Sequence, residues 1–223
     1  MWKRLLTSAA FLAVTLSAAK DCDRGCMTAL ADQYLAALVK HDASGLPLSP
    51  GVRFTENTAE IKVGDGLWVS ASEAPTTFKI YAVDPATSQV AFYGVMKELD
   101  KPLIIALRLK VIHGKITEIE HVLARNMRPD RMQNLVTPRP GLLADVSDSD
   151  KTSRQEMLSA ADSYFEAIEH GDGSLAPFAE DCERHENGGQ TTHNATPVPW
   201  PVDLGSPEAN RSMAIIGTLS CTK

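Results

Sequence analysis

Two segments of this chain are versions of one another, and this repeat constrains the fold more than any other feature. Residues 31–57 and 161–187 align without a gap at an offset of 130 residues, and nine of the 27 pairs are identical. Average residue usage would give about two identities by chance. The identical positions of the first segment are Ala31, Asp32, Tyr34, Ala37, Asp42, Ser44, Pro47, Glu56 and Asn57. A period of this length is that of a domain, so the repeat predicts two related domains in tandem. The alternative is a coincidence of two amphipathic helices, each followed by a polar turn.

The second copy is expected to be incomplete, because it contains the helix and the first strand pair but not the long meander of the first. We predict a signal peptide at 1–19, a first domain at 20–126, a linker at 127–152 and a partial second copy at 153–223. The linker is rich in Arg, Pro, Asp and Ser. We expect the second copy to be truncated, as in a fragment of a longer protein.

The N-terminus has the pattern of a secretory signal peptide rather than of a folded element. A basic head, Met1–Arg4, precedes an apolar run from Leu5 to Leu16 and the small residues of positions 17–19. This pattern predicts cleavage, with the mature protein beginning at about Lys20 and secreted to an extracellular or periplasmic space. The alternative is a membrane anchor, for which the apolar run is short. A formal net charge of −6 without a basic stripe argues against a nucleic-acid partner.

The mature chain contains four cysteines, Cys22, Cys26, Cys182 and Cys221. An even number of cysteines in an oxidising compartment predicts disulfides. Three connectivities are open, and we favour Cys22–Cys26 with Cys182–Cys221. The alternative, a metal site, lacks a nearby histidine at the usual zinc spacing, so no metal ligands are predicted.

The order of the predicted elements is typical of an α+β fold. A helix at 27–41 is followed by short strands around Asn57-Thr58 and by a strand at 78–83. Three longer strands follow at 89–97, 102–112 and 115–125, and the last of them begins after a His113-Gly114 turn. Alternation of apolar and polar residues along 105–111 indicates one buried face. A second helix is predicted at 153–170 and a further strand at Met213–Leu219.

The helix ADQYLAALVKHD, the strand VRFTEN and the hairpin LRLKVIHGKITEIE resemble the nuclear transport factor 2-like superfamily, also called SnoaL-like. The segments RFTEN, GDGLW and CERHENG resemble, more narrowly, a family of secreted proteins with two SnoaL-like copies. The resemblance implies a cone, in which a curved antiparallel sheet packs on N-terminal helices and leaves a pocket at its open end. It also implies cofactor-free acid–base chemistry on small apolar substrates, as in ketosteroid isomerase and scytalone dehydratase, although other members only bind ligands or proteins.

Glu56 and Asn57 are the first candidate catalytic residues, because the pair recurs as Glu186-Asn187. A carboxylate at the mouth of an apolar cone can have its pKa raised by burial and act as a general base, and an adjacent amide can donate to a developing oxyanion. Tyr81 and Arg108 are candidate polarising donors. The alternative for each is structural: neighbouring strand residues face opposite ways, Asn57 suits a turn, and Arg108 suits a solvated face.

Other candidates would line a pocket or belong to the second copy. Trp68, Tyr93 and His121 are candidate substrate-pocket residues. Trp68 and Tyr93 are equally suited to a core, and His121 lies on a strand from which it could face either the pocket or the outside. His185 stands beside Glu186, and a histidine–carboxylate pair can shuttle protons. An exposed histidine on a polar strand is the alternative.

Three functions stay open on the sequence. The first is a secreted isomerase, dehydratase, cyclase or lyase without a cofactor, acting on a small apolar carbonyl or hydroxylated compound. The second is a non-catalytic module that binds a ligand or forms a homodimer through an open sheet edge. The third is a structural protein whose cone is filled by its own side chains.

Overall fold

The computed structural model describes residues 22–179 and 182–191. The predicted signal peptide, the predicted strand Met213–Leu219 and Cys221 lie outside the described residues. Among the helices of the described ranges, none combines the length and the apolar character needed to cross a bilayer.

The first helix, α1 (Arg24–Lys40), confirms the helix predicted from the apolar spacing. The Asp23 side chain accepts a hydrogen bond from the Cys26 amide and caps the first turn. His41 ends the helix in the left-handed region, and its amide donates to the carbonyls of the preceding turn. The buried face consists of Met27, Leu30, Ala31, Tyr34, Leu35 and Leu38.

Seven strands and a short helix follow in the order that the alternation predicts. They are β1 (Leu48–Glu56), β2 (Ala59–Ile61), α2 (Leu67–Ser70), β3 (Ala71–Glu73), β4 (Lys79–Asp84), β5 (Gln89–Glu98), β6 (Lys101–Ile112) and β7 (Lys115–Ala124). Asn57 and Thr58 both have positive φ, which the tight turn between β1 and β2 requires. The strand pairs predicted around Asn57 and around His113-Gly114 are therefore confirmed.

These strands form one curved sheet in the order β2-β1-β7-β6-β5-β3, with β4 also paired to β5. All pairs are antiparallel except β1 and β7, which run parallel, so the sheet is mixed rather than purely antiparallel as predicted. The inner face of the sheet packs against α1, which contacts β3, β4 and β5. The α+β cone implied by the resemblance to the nuclear transport factor 2-like superfamily is confirmed.

From Leu103 to Val111, the odd-numbered residues of β6 point into the core between α1 and the sheet, and the even-numbered residues point outward. Leu107 and Leu109 belong to the core, whereas Arg108 and Lys110 reach the outer face. A smaller apolar cluster covers part of the outer face. In it, Leu135 packs with Phe78 and Ile104.

The chain after β7 crosses the outer face and then forms a second helix. Short helical turns at Pro129–Met132 (α3), Gln133–Leu135 and Pro140–Leu142 precede α4 (Arg154–His170). A capping box of Ser153 and Glu156 begins α4, and Gly171 ends it in the left-handed region. A helical turn at Gly173–Leu175 and a small hairpin, β8 (His185–Glu186) and β9 (Gly189–Gln190), follow. The second predicted helix is thus confirmed.

Candidate functional site

A chain of hydrogen bonds runs through the interior of the cone. The Trp68 indole Nε1 donates to the Tyr34 hydroxyl oxygen at 3.0 Å, and this oxygen lies 2.9 Å from Nε2 of His121. All three side chains are at most 2% exposed. They come from α2, α1 and β7, so the chain of bonds ties three elements together inside an apolar core.

The other end of this chain is the Glu56 carboxylate at the end of β1. Its Oε2 atom lies 3.4 Å from Nδ1 of His121 and accepts the Leu67 amide at 2.9 Å, while Arg125 reaches Oε1 at 3.4 Å. Gly66 lets the backbone approach closely, because a Cβ atom there would stand 2.8 Å from Oε2 of Glu56. The glycine of the GDGLW motif therefore makes room for the carboxylate.

The pKa shifts fix which groups of this network carry protons. Burial lowers the pKa of His121, and it outweighs the opposing effect of Glu56. Burial also raises the pKa of Tyr34 far above its usual range. A neutral His121 with its proton on Nδ1 can donate to Glu56 and accept from Tyr34, so each polar atom has a partner. The network is fully satisfied, as a structural core network is.

Glu56 differs from the sequence expectation in its ionisation. Burial raises its pKa, but the hydrogen bonds from His121, the Leu67 amide and Arg125 together outweigh burial and hold the pKa below the usual value. The sequence led us to expect a general base whose pKa is raised by burial. The pKa is lowered instead, because the Leu67 amide and the Arg125 cation stabilise the ionised carboxylate. Sequence reasoning missed Tyr34 and Arg125, whose partners are distant along the chain.

Asn57 adopts the turn role that was its structural alternative. Its Oδ1 atom accepts the Leu123 amide at 2.8 Å, and its Nδ2 atom donates to the Leu123 carbonyl at 3.5 Å. Both side-chain groups are therefore used to join the β1–β2 turn to β7.

Tyr81 and Arg108 are not brought together with Glu56. The Tyr81 hydroxyl donates to the Asp32 carboxylate at the rim of the inner face. Arg108 lies on the outer face, where it donates to Glu118 and Glu120 at 2.9 Å each. Glu56 and Asn57 thus lie together at the end of β1, apart from Tyr81 and Arg108, and the four candidate catalytic residues do not form one site.

A cavity of about 490 Å³ lies between the outer face of the sheet and the segment after β7, and we call it the sheet–linker cavity. Two candidates from the sequence, Tyr93 and His185, line it together. The remaining lining residues, which sequence reasoning missed, are Phe78, Ile80, Gln133, Asn134, Leu135, Thr137, Pro138, Arg139, Pro140, Leu142 and Gly188. The stretch 133–142 was predicted only as a linker, and no local motif marks it as part of a site.

The charges at the wall of the sheet–linker cavity nearly cancel. Arg139 Nη1 lies 3.3 Å from Oε2 of Glu183, so this pair of charges is matched. Burial lowers the pKa of His185, which the Arg139 charge lowers further, and burial raises the pKa of Tyr93. Nε2 of His185 is buried and makes no hydrogen bond within the described residues, although Glu183 is 3.5 Å away. Among the described residues, one polar atom in this wall is therefore left available to a ligand.

Glu186 and Asn187 support the hairpin rather than line this cavity. Arg184 donates to Glu186 at 2.5 Å, and Asn187 occupies the turn with φ of 46°. Asn134 then donates to the Gly188 carbonyl at 2.8 Å and joins the hairpin to the linker.

The predicted disulfide Cys22–Cys26 is present before and within the first turn of α1. Cys182 is disulfide-bonded as well, and its predicted partner Cys221 lies outside the described residues.

The family described as a domain of unknown function (DUF8021) matches residues 20–123 and 150–218 of this chain. No curated protein is detectably similar to the chain.

Several solved structures are similar to part of the chain. AusH from Aspergillus nidulans is 12% identical with a TM-score of 0.39, covering 48% of this chain and 88% of its own. A steroid delta-isomerase from Pseudomonas aeruginosa is 15% identical with a TM-score of 0.33, covering 45% and 80%. A de novo designed NTF2-fold protein is 18% identical with a TM-score of 0.33, covering 51% and 95%. Similarities of this size carry no argument about activity.

Proposed function

The chain belongs to the family of the domain of unknown function DUF8021, and from this premise we propose that it binds a small, uncharged, largely apolar molecule in the sheet–linker cavity. The observation that carries the proposal is the cavity itself, which combines about 490 Å³ of space with apolar walls and a few converging polar groups. Sites for small molecules in proteins share this size and composition.

The apolar character of the ligand follows from the walls. Phe78 and Ile80 of the sheet face Leu135 and Leu142 across the cavity. A ring or alkyl group placed between them would be removed from water on both sides, which is favourable in proportion to the area buried.

The absence of charge on the ligand follows from the electrostatics. The charges of Arg139 and Glu183 already match one another. His185 is uncharged near neutral pH because burial and Arg139 lower its pKa, and Tyr93 keeps its proton because a phenol with a raised pKa does not ionise there. A charged ligand would lose its hydration without gaining an unmatched opposite charge. A hydroxyl group of the ligand can donate to His185 Nε2, and a carbonyl group can accept from the Tyr93 hydroxyl.

The interior of the cone offers less support for a ligand. Trp68 and His121, which the sequence proposed as pocket residues, are at most 2% exposed and are bonded to Tyr34. Phe54 and Phe92 fill the adjoining space and are each 1% exposed.

A second candidate function is catalysis in the same cavity by a cofactor-independent isomerase, dehydratase, cyclase or lyase. The observation that favours it is the neutral His185, whose Nε2 atom makes no hydrogen bond to the residues that the structure describes and lies 3.5 Å from Oε2 of Glu183. A neutral imidazole can remove a proton from a bound carbonyl or hydroxylated compound, with Tyr93 polarising the oxygen of that compound.

We also propose that the protein is exported from the cell. The Cys22–Cys26 disulfide supports this proposal, because disulfides form and persist in an oxidising environment.

The binding test uses 2-naphthol as a neutral probe, 2-naphthoate as its charged analogue, and two variants of the outer face. Ile80→Trp fills the sheet–linker cavity, whereas Val122→Trp adds the same side chain to an exposed position of β7 outside it. We expect 2-naphthol to raise the melting temperature of the wild type and of Val122→Trp, but not of Ile80→Trp. At a hundredfold excess over Kd, the stabilisation is about 2.7 kcal/mol.

Two results would overturn this proposal. One is stabilisation of the Ile80→Trp variant equal to that of the wild type, and the other is stronger stabilisation by naphthoate than by naphthol. Proton NMR of carbonyl and hydroxylated compounds recovered after incubation separates the two functions, because only catalysis changes the structure of the compound, and NMR also detects an isomerisation or cyclisation that leaves its mass unchanged.

A further inference from the structure

The apolar face of α4 is exposed, whereas the corresponding face of α1 is buried. Leu35 and Leu38 of α1 are 3% and 0% exposed. Their counterparts at the offset of 130 residues, Phe165 and Ile168, are 67% and 36% exposed. We call Met157, Leu158, Ala161, Phe165 and Ile168 the α4 face. Contiguous exposed apolar residues of this kind mark an interaction surface.

The helices α1 and α4 are alike in length and in the way they end, as well as in the spacing of their apolar residues. Each has 17 residues and ends at a residue in the left-handed region. After each helix, an aspartate accepts a backbone hydrogen bond at 2.9 Å, from Ser44 to Asp42 and from Ser174 to Asp172. The C-terminal end of α4 is therefore built like that of α1.

The agreement continues into the first hairpin of each segment. Asn57 and Asn187 have φ values of 45° and 46° at the turn. In each hairpin, the glutamate before the asparagine pairs with the residue two positions after the asparagine. Glu56 pairs with Ala59, and Glu186 pairs with Gly189. Local structure therefore follows the same register as the sequence repeat.

The elements that cover α1 follow the first copy of the repeat in the sequence. α1 contacts α2, β3, β4 and β5, which span residues 67–98. Residues 62–93, which contain α2, β3 and β4, follow the first copy of the repeat, and Thr192–Lys223 stands at the same place in the sequence after the second copy. Its apolar residues, Val198, Trp200, Val202, Leu204 and the run Met213–Leu219, are available to cover a helix.

We propose that Thr192–Lys223 packs against the α4 face, as α2, β3 and β4 pack against α1. The cysteines support this occupant over a separate protein. Cys22 and Cys26 are bonded to one another, Cys182 is disulfide-bonded, and Cys221 is the remaining cysteine of the chain. A bond from Cys182 to Cys221 would hold the Cα atoms of the two residues within about 7 Å. The segment would thus be tethered near α4 at a high effective concentration.

The first test is hydroxyl-radical footprinting of the full unmodified chain. Met27 and Met157 occupy equivalent positions, and Met27 is 2% exposed. We expect Met157 to be oxidised about as slowly as Met27, roughly tenfold slower than in the denatured chain, because oxidation follows exposure. Oxidation of Met157 at the denatured rate would overturn the proposal.

The second test places a photo-crosslinking amino acid, p-benzoylphenylalanine, at Phe165 in the full chain, with the same residue at Ser159 on the opposite side of α4 as the control. We expect the probe at Phe165, and not at Ser159, to crosslink within one chain to a peptide from 192–223. Crosslinks between two chains would assign the α4 face to a second copy instead, and equal yields at both positions would mean that nothing specific covers it. Either result contradicts the proposal.

Discussion

Nε2 of His121 lies 2.9 Å from the Tyr34 hydroxyl oxygen, and both side chains are 0% exposed. This contact joins the last strand of the sheet to the first helix, across 87 residues of chain. The Trp68 indole and the Glu56 carboxylate continue it on either side. Because every member has a partner, removing one leaves its neighbours buried and unsatisfied, which costs more than the lost bond alone.

Replacing Tyr34 by Phe tests the cost of breaking this network. The variant leaves Trp68 Nε1 and His121 Nε2 without their partner, so we expect the free energy of unfolding to fall by about 1–3 kcal/mol. Tyr81→Phe is the control, since its hydroxyl bonds an exposed Asp32 and its loss should cost less than about 1 kcal/mol. Urea titration measures both values, and equal losses would refute the structural role of Tyr34.

The stability of the protein should fall on acidification because of His121. Its pKa in the folded protein lies below the ordinary value of 6.5, so the unfolded chain binds the proton more readily. The stabilisation is therefore complete above pH 6.5 and is lost as the pH falls below it. Glu56, whose pKa is also lowered, adds a further loss below about pH 4.5.

Two histidine variants separate these contributions in urea titrations between pH 7 and pH 5. His121→Gln should flatten the pH dependence more than His185→Gln, because His121 is fully buried and the pKa of each residue is lowered chiefly by burial. An unchanged slope in the His121 variant would contradict the assignment.

Gly94 of β5 is required because the ring of Phe92 and the backbone carbonyl of Phe78 lie against it. A Cβ atom there would stand 2.3 Å from Cζ of Phe92 and 2.8 Å from the Phe78 carbonyl oxygen. We expect Gly94→Ala to destabilise the protein by about 1–3 kcal/mol through overpacking. Gly51→Ala is the matched control, since no atom of the described residues lies within 4 Å of its Cβ position, and it should be neutral or slightly stabilising. Thermal unfolding compares the two.

The Cys22–Cys26 disulfide should stabilise the start of α1 only modestly. It joins residues four positions apart, and so short a loop gives about 2 kcal/mol at most in the chain-entropy account. The double variant Cys22→Ser/Cys26→Ser is preferable to a reducing agent, because Cys182 is also disulfide-bonded. A loss well above this value in urea titration would mean that Cys22 contributes mainly by packing in the core.

The sequence predicted the fold far better than the site. Alternation along 105–111 and the turn residues Asn57 and Gly114 depend on local rules, and the strands and turns lie where those rules place them. The parallel pairing of β1 with β7 escaped prediction, because it joins residues more than 60 positions apart.

The site escaped prediction for a similar reason. Whether Glu56 has a raised or lowered pKa depends on Leu67 and Arg125, which only the folded chain brings near it. The sheet–linker cavity depends on Leu135 folding back over Phe78, and neither residue carries a motif. Tyr93 and His185 were recognised by residue type alone.

The most direct test of the account is methyl NMR of the ¹³C-labelled protein titrated with 2-naphthol. The account predicts chemical-shift changes at the methyl groups of Ile80, Leu135 and Leu142, which line the sheet–linker cavity, with little change at Leu107 and Ile119 inside the cone. Changes centred on Leu107 and Ile119, with Ile80 and Leu135 unaffected, would place the ligand inside the cone and contradict the account.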